Sequence, residues 1–148
     1  MQLDRKVIIF KLGNEEFACD IQHVERILGY VEPTKIPEAP YYVEGVINYQ
    51  ESILPIINLK RKFNMDYNES SDKKIIVVKS NQRTVGFLVD TVLEVSDIRN
   101  ENIETSPDIV TASKNRYIQN IIKLSGRIIL EINPDKILSK DDIDSILN

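Results

Sequence analysis

The sequence predicts an all-β protein, and three observations carry the prediction. Residues branched at Cβ dominate the apolar set, with 23 Ile and 12 Val against 11 Leu. Alanine, the best helix former, occurs only three times. Strand-length apolar runs recur along the chain, each bounded by turn residues. Branching at Cβ restricts χ1 and suits a pleated, half-buried surface. Regular short strands separated by turn signals point to a sandwich or to barrels.

The runs fall at Val7–Leu12, Phe17–Ile21, Val43–Tyr49, Ile53–Ile57, Ile75–Val78, Val85–Val95, Tyr117–Leu124 and Ile128–Ile132. Gly13-Asn14, Ser80-Asn81-Gln82 and Ser125-Gly126 read as hairpin turns, because Gly and Asn tolerate positive φ. Two helices interrupt the strands. Asp20 caps a short one after the second strand, with apolar Ile21, Val24, Ile27 and Leu28 and with Gly29 at its left-handed end. At the C-terminus, Ser139 and Asp142 form a capping box ahead of Ile143, Ile146 and Leu147. Pro37 and Pro40 flank an irregular link, and 64–72 is polar enough for an exposed loop. The two halves resemble each other loosely, but no fixed-period repeat is legible.

A chain of 148 residues buries about 70% of its unfolded surface, so no disulfide or metal is needed for stability. The net charge of −4, with signs interspersed, gives no basic surface for nucleic acid and no attraction to anionic lipid. Lys60-Arg61-Lys62 is the one tight basic run and reads as a solvated strand end. Cys19 is the single cysteine and reads as buried and inert. The stretch from Met1 to Lys6 lacks the apolar core of a signal peptide, and no apolar run spans a bilayer. A cytoplasmic location is expected.

Inventory tests the catalytic designs. His23 is the only histidine, and a lone imidazole seldom makes a site. Cys19 and His23 are four apart, yet nothing nearby orients the histidine as a base. Ligands spaced for zinc are missing. The five glycines are too scattered for a phosphate loop. No catalytic residue, cofactor or metal ligand is therefore expected. A hydrolase with dispersed carboxylates and a nucleic-acid-binding barrel using Tyr41, Tyr42 and Tyr49 are the weaker rivals; Glu38, Glu44 and Glu51 lie among those tyrosines.

The ordered series Phe10-x-Leu12-Gly13-x-Glu15-Glu16-Phe17-x-x-Asp20-Ile21, Val24-x-x-Ile27, Pro37-x-x-Pro40, Val43-x-Gly45-Val46-Ile47-Asn48 and Ile53-x-Pro55-Ile56-Ile57-x-Leu59 closely resembles the CheW family of bacterial chemotaxis coupling proteins. Val85-Gly86-x-x-Val89-Asp90-x-Val92-x-x-Val95, Pro107, Tyr117-Ile118 and Ile129-x-x-Ile132 extend the resemblance over nearly the whole chain. It implies one domain over 1–148, built of two packed, SH3-like, five-stranded barrels. These would cover roughly 14–73 and 74–138, the latter joined by the N-terminal strand. It implies a non-enzymatic adaptor that couples the cytoplasmic hairpin of chemoreceptors to the regulatory domain of a CheA-type histidine kinase. A groove at the barrel junction would receive the receptor. A related kinase pathway outside flagellar motility is the alternative.

Carried over by motif, Val24, Ile27, Gly45, Asn48, Val85, Gly86 and Val95 are the expected partner-binding positions. The chain departs from the family pattern nearby. Its Asn48-Tyr49-Gln50-Glu51 replaces the usual Asn-Leu-Arg-Gly turn, Arg26 replaces a frequent Glu, and Asn120 replaces a glycine. Arg26, Gln50 and Glu51 join the expected site, with Arg26 and Glu51 read as a coupled reversal of charge that would select partners.

Overall fold

The computed structural model describes residues 4–66, 70–104 and 117–147. Its strands are β1 (Arg5–Leu12), β2 (Glu15–Asp20), β3 (Val24–Gly29), β4 (Val43–Tyr49), β5 (Ser52–Asn58), β6 (Lys74–Ser80), β7 (Arg83–Val89), β8 (Thr91–Ile98), β9 (Ile103–Glu104), β10 (Ile118–Leu124) and β11 (Arg127–Ile132). Short helices α1 (Leu59–Lys62), α2 (Pro134–Ile137) and α3 (Lys140–Leu147) complete it.

The strands form two sheets, in the orders β8-β1-β2-β11-β10-β9 and β3-β6-β7-β5-β4. Each repeats one design. A hairpin, β1–β2 or β6–β7, runs parallel along a second hairpin through β2 against β11 or β7 against β5. The strand that follows each first hairpin crosses to the opposite sheet: β3 leaves β2 to pair with β6, and β8 leaves β7 to pair with β1. The sheets curl into two small barrels. Thr34 and Val46 exchange two backbone hydrogen bonds of 2.9 Å, which closes the β3–β4 side. The sixth strand, β9, has two residues and follows β8 through a single 3-10 turn. The division of the chain follows this exchange. The five-stranded sheet spans 24–89, so a boundary near 73 falls inside it; β6 cannot leave, because it pairs with both β3 and β7.

Alternate residues of β1, β2, β6 and β7 enter different cores. Val7, Ile9 and Ala18 fill one barrel with Ile98, Ile122 and Ile129. Ile75, Val77 and Leu88 fill the other with Ile47, Leu54 and Ile56. Ile8, Phe10, Phe17, Ile76, Val78, Val85 and Phe87 meet between the barrels in the largest cluster. A strand buried on both faces reads as an unbroken apolar run, which is why these segments show no polar alternation.

Two expected elements differ. The helix after the second strand is only a 3-10 turn, Ile21–His23, capped by the Asp20 carboxylate accepting from Gln22 N at 2.9 Å. Val24 to Gly29 is strand, with Arg26 opposite Val77 and Leu28 opposite Ile75. Ile21, Val24 and Ile27 are poor helix formers, and β6 offers them a complete ladder. Gly29 does not take a left-handed φ. The run Val85–Val95 breaks at Asp90, where the chain changes sheets.

The C-terminal capping box is present: the Ser139 hydroxyl accepts from Asp142 N, and the Asp142 carboxylate accepts from Ser139 N, each at 3.0 Å. It starts α3 so that Ile143 and Ile146 close one end of the central core. Truncating Phe87 to Ala at the middle of that core is expected to cost about 3–5 kcal/mol, read as a lowered midpoint in urea unfolding.

Candidate partner-binding surface

A groove of about 850 Å³ lies across the β3 and β4 edges of the five-stranded barrel. Arg26, Tyr30, Asn48, Gln50 and Ile53 are among its walls. A smaller recess of about 280 Å³ lies on the other side of the β4–β5 turn, beside Glu25, Ser52, Arg83 and Thr84. Tyr49, Gln50 and Ile53 border both.

Local contacts fix this end of the barrel. The Tyr49 hydroxyl donates to Glu25 at 2.7 Å. That bond, followed by burial, raises the phenol's pKa above its ordinary value. The Arg26 guanidinium sits over the Tyr49 ring, 5.9 Å from its centroid. Among the described residues, no ion pair joins Arg26 to Glu51, so the expected swapped pair is not formed. Both side chains are exposed, and Arg26 has an aromatic face instead of a carboxylate. Gln50 and Glu51 have φ of 48° and 63°. A left-handed conformation costs a residue with a side chain about 1–2 kcal/mol. The other two-residue hairpin turns contain Gly13, Asn81 or Gly126.

The expected site residues separate. Arg26, Asn48 and Gln50 come together along the groove, with Glu51 at its tip. Ile27 is exposed on β3, opposite Ile76. Val95 is exposed at the matching place on β8, opposite Ile8. Val24 is half-buried against the central core. Three positions lie inside the protein. Val85 is fully buried between the barrels. Gly86 is buried where a Cβ would stand 2.8 Å from Ile56 and Ile75 side-chain atoms. The junction around Val85 is therefore filled by the protein's own core. At Gly45, φ is 144° and a Cβ would lie 2.2 Å from the Thr34 carbonyl oxygen, so this glycine admits the backbone that closes the barrel. Gly45→Ala is expected to cost about 2–4 kcal/mol, visible in denaturant unfolding.

Other charged groups hold the frame. Lys60-Arg61-Lys62 is no solvated strand end. Lys60 is buried in α1 and donates to Asp90 at 3.0 Å, Arg61 pairs with Glu44 at 3.3 Å, and Lys62 lies over the Tyr42 ring. The same Asp90 oxygen accepts from Gly13 N at 2.7 Å, so one carboxylate ties the turn of one sheet to the helix of the other. Arg5 donates to Asp20 at 3.0 Å and to the fully buried Glu131, which also accepts from Asn120. Beneath this cluster, burial pushes the Cys19 thiol far up. His23 sits half-buried on the 3-10 turn. Among the described residues, no three His, Cys, Asp or Glu side chains cluster to hold a metal, and no helix is long and apolar enough to cross a membrane.

On the other barrel, Arg127 joins Glu16 and Glu94. The hydrogen bond from Arg127 holds the Glu16 carboxyl below its ordinary value of 4.5. A depressed folded-state pKa gives stability that is present above the unfolded value and lost as pH falls through the folded one. Glu16→Gln should therefore be less stable than the parent at pH 7, and the two should converge towards pH 3 in urea midpoints.

Two interlocked barrels with a groove of mixed apolar and polar walls and a polar turn define a protein-binding scaffold. The CheW-like domain family model matches residues 6–142. The chain belongs to the CheW-like family. It is 33% identical over 142 residues to chemotaxis protein CheW of Klebsiella aerogenes, covering 94% of this chain and 84% of that one. It is 30% identical over 139 residues to chemotaxis protein CheW of Rhizobium meliloti, covering 93% and 90%. The crystal structure of scaffolding protein TtCheW from Thermoanaerobacter tengcongensis superposes with a TM-score of 0.86 at 31% identity, over 95% of this chain and 96% of that one.

Proposed function

We propose that this chain is a non-enzymatic adaptor of the cytoplasm that couples the cytoplasmic hairpin of chemoreceptors to a CheA-type histidine kinase through the kinase's regulatory domain. The observation that carries the reading is the family match across almost the whole chain, together with an intact two-barrel frame. Arg26, Asn48, Gln50 and Glu51 stand exposed at one end of that frame. Ile27 and Ile53 add apolar surface beside them, and Val95 and Ile128 do so on the other barrel. Exposed apolar side chains ringed by polar ones suit protein docking. A rigid frame also keeps the ordering cost of binding small.

Reconstitution tests this. The protein is mixed with a CheA-type kinase and a receptor cytoplasmic fragment, and kinase autophosphorylation is followed. Receptor-dependent stimulation that requires this chain is the expected result. Failure to bind either partner, with a mobility shift of single-stranded DNA instead, would replace the adaptor reading with a nucleic-acid one.

A further inference from the structure

The two C-terminal helices are held in different ways. The β6–β7 turn clamps α2 and the residue after it. The Ser80 hydroxyl donates to the Pro134 carbonyl at 2.8 Å. Asn81 N donates to the Asp135 carboxylate at 2.8 Å, and the Asn81 side-chain amide donates to the carbonyls of Asp135 and Leu138 at 3.1 and 2.7 Å. The clamp ends at Leu138. Ser139 is exposed, and among the described residues no backbone hydrogen bond ties α3 to either barrel. The cap of α3 is its own, since Ser139 and Asp142 satisfy each other. Side chains join α3 to the body: Ile143 and Ile146 enter the central cluster, and Asp144 accepts from Arg83 at 2.9 Å in an exposed pair. The link between Leu138 and Ser139 is therefore a hinge. On one side the chain is clamped, and on the other it can leave together with its cap.

We propose that α3 is a releasable strap, and that the seat beneath it takes an acidic amphipathic helix from a partner protein. Ile143 and Ile146, at i and i+3, are the anchors of a helix laid into an apolar groove. Tyr42, Phe63 and Tyr117 pack partly buried against the same cluster. The body is basic where α3 is acidic. Arg83 meets Asp144. Lys62 Nζ lies 4.2 Å from the centre of the Tyr42 ring. Burial, and then the charge of Asp142, raises the Tyr42 pKa, so the first turn of α3 faces the ring that carries Lys62. Asp141 adds a third carboxylate to that end of the helix. At eight residues, α3 is too short to persist alone in water. It owes its order to the seat. A longer helix with the same anchors and charges forms more readily, and so can compete with the advantage that tethering gives α3.

Hydrogen exchange on the full chain tests the strap. The α3 amides should exchange about 100-fold faster than those of β6 and β7, through an opening that leaves the barrels intact. Asp144→Arg sets like charges against Arg83 and should raise the α3 rates a further 2- to 5-fold or so. Adding Arg83→Asp should restore them. Exchange of α3 in step with β6 and β7 overturns the proposal.

A labelled synthetic peptide of residues 138–147 tests the seat by fluorescence anisotropy. Ile143→Asp expels the strap in the full chain, and this variant should bind the peptide about 10-fold or more tightly than the parent does. A peptide carrying Asp141→Asn, Asp142→Asn and Asp144→Asn should bind about 3- to 10-fold more weakly. Equal binding by parent and variant, or equal binding of the two peptides, overturns the seat. If Ile143→Asp does not fold, Asp144→Arg takes its place and the same comparisons decide. A concentration-dependent dimer of the parent in sedimentation, abolished by the strap-releasing variant, would put a second copy in the seat and overturn the choice of a partner protein.

Discussion

The apolar layer between the two sheets is the constraint on which the rest of the molecule depends. Ile8, Phe10, Phe17, Ile76, Val78, Val85 and Phe87 meet there from strands whose opposite faces already fill the two barrel interiors. Each barrel alone would leave one face of its best strands in water. At about 25 cal/mol per Å² of apolar surface, exposing that layer would be prohibitive for a chain of this size. The barrels therefore fold as one body, and α2 and α3 close its end through Ile137, Ile143 and Ile146.

Hydrophobic burial is non-directional, and the strand exchange supplies the direction. Because β3 and β8 each leave their own hairpin to complete the other barrel, neither sheet can rotate far without breaking a ladder. Buried charge sits where the chain crosses. Asp90 takes Gly13 N and Lys60 on one oxygen, and Arg5 links Asp20 at the other crossing to buried Glu131. Such pairs add little net stability, since desolvation offsets their attraction, but losing one partner strands a buried charge. Their role here is to fix register at two junctions that apolar packing alone leaves open.

The strands were legible in the sequence because Ile and Val concentrate in runs with clear turn punctuation, and the terminal capping box was legible because its chemistry is local. What escaped depended on distant partners. Ile21, Val24, Ile27 and Leu28 fit a helical period as well as a strand, and only β6, some fifty residues on, decides between them. Val85, Gly86 and Gly45 carry family motif positions, yet their burial reflects packing that no motif reports. The basic run at 60–62 looked like a solvated patch because its counter-groups, Asp90, Glu44 and the Tyr42 ring, are remote in sequence or indistinguishable there from surface residues. Asp90, interrupting the longest apolar run, was the one available sign of a strand break. A charge there is costly unless the chain leaves the core.

The division between frame and tip follows from the same physics. Within the frame, successive residues of β1, β6 and β7 face different cores, so neither face of these strands has much freedom. The β4–β5 turn touches neither central layer nor crossing point, and its two residues bear on stability mainly through their own φ. Their side chains can vary at a cost confined to one hairpin. The residue at Glu51 can change while the Tyr49–Glu25 bond and the barrel closure at Gly45 stay as they are. The chemistry of this segment is thereby uncoupled from the folding of the frame beneath it.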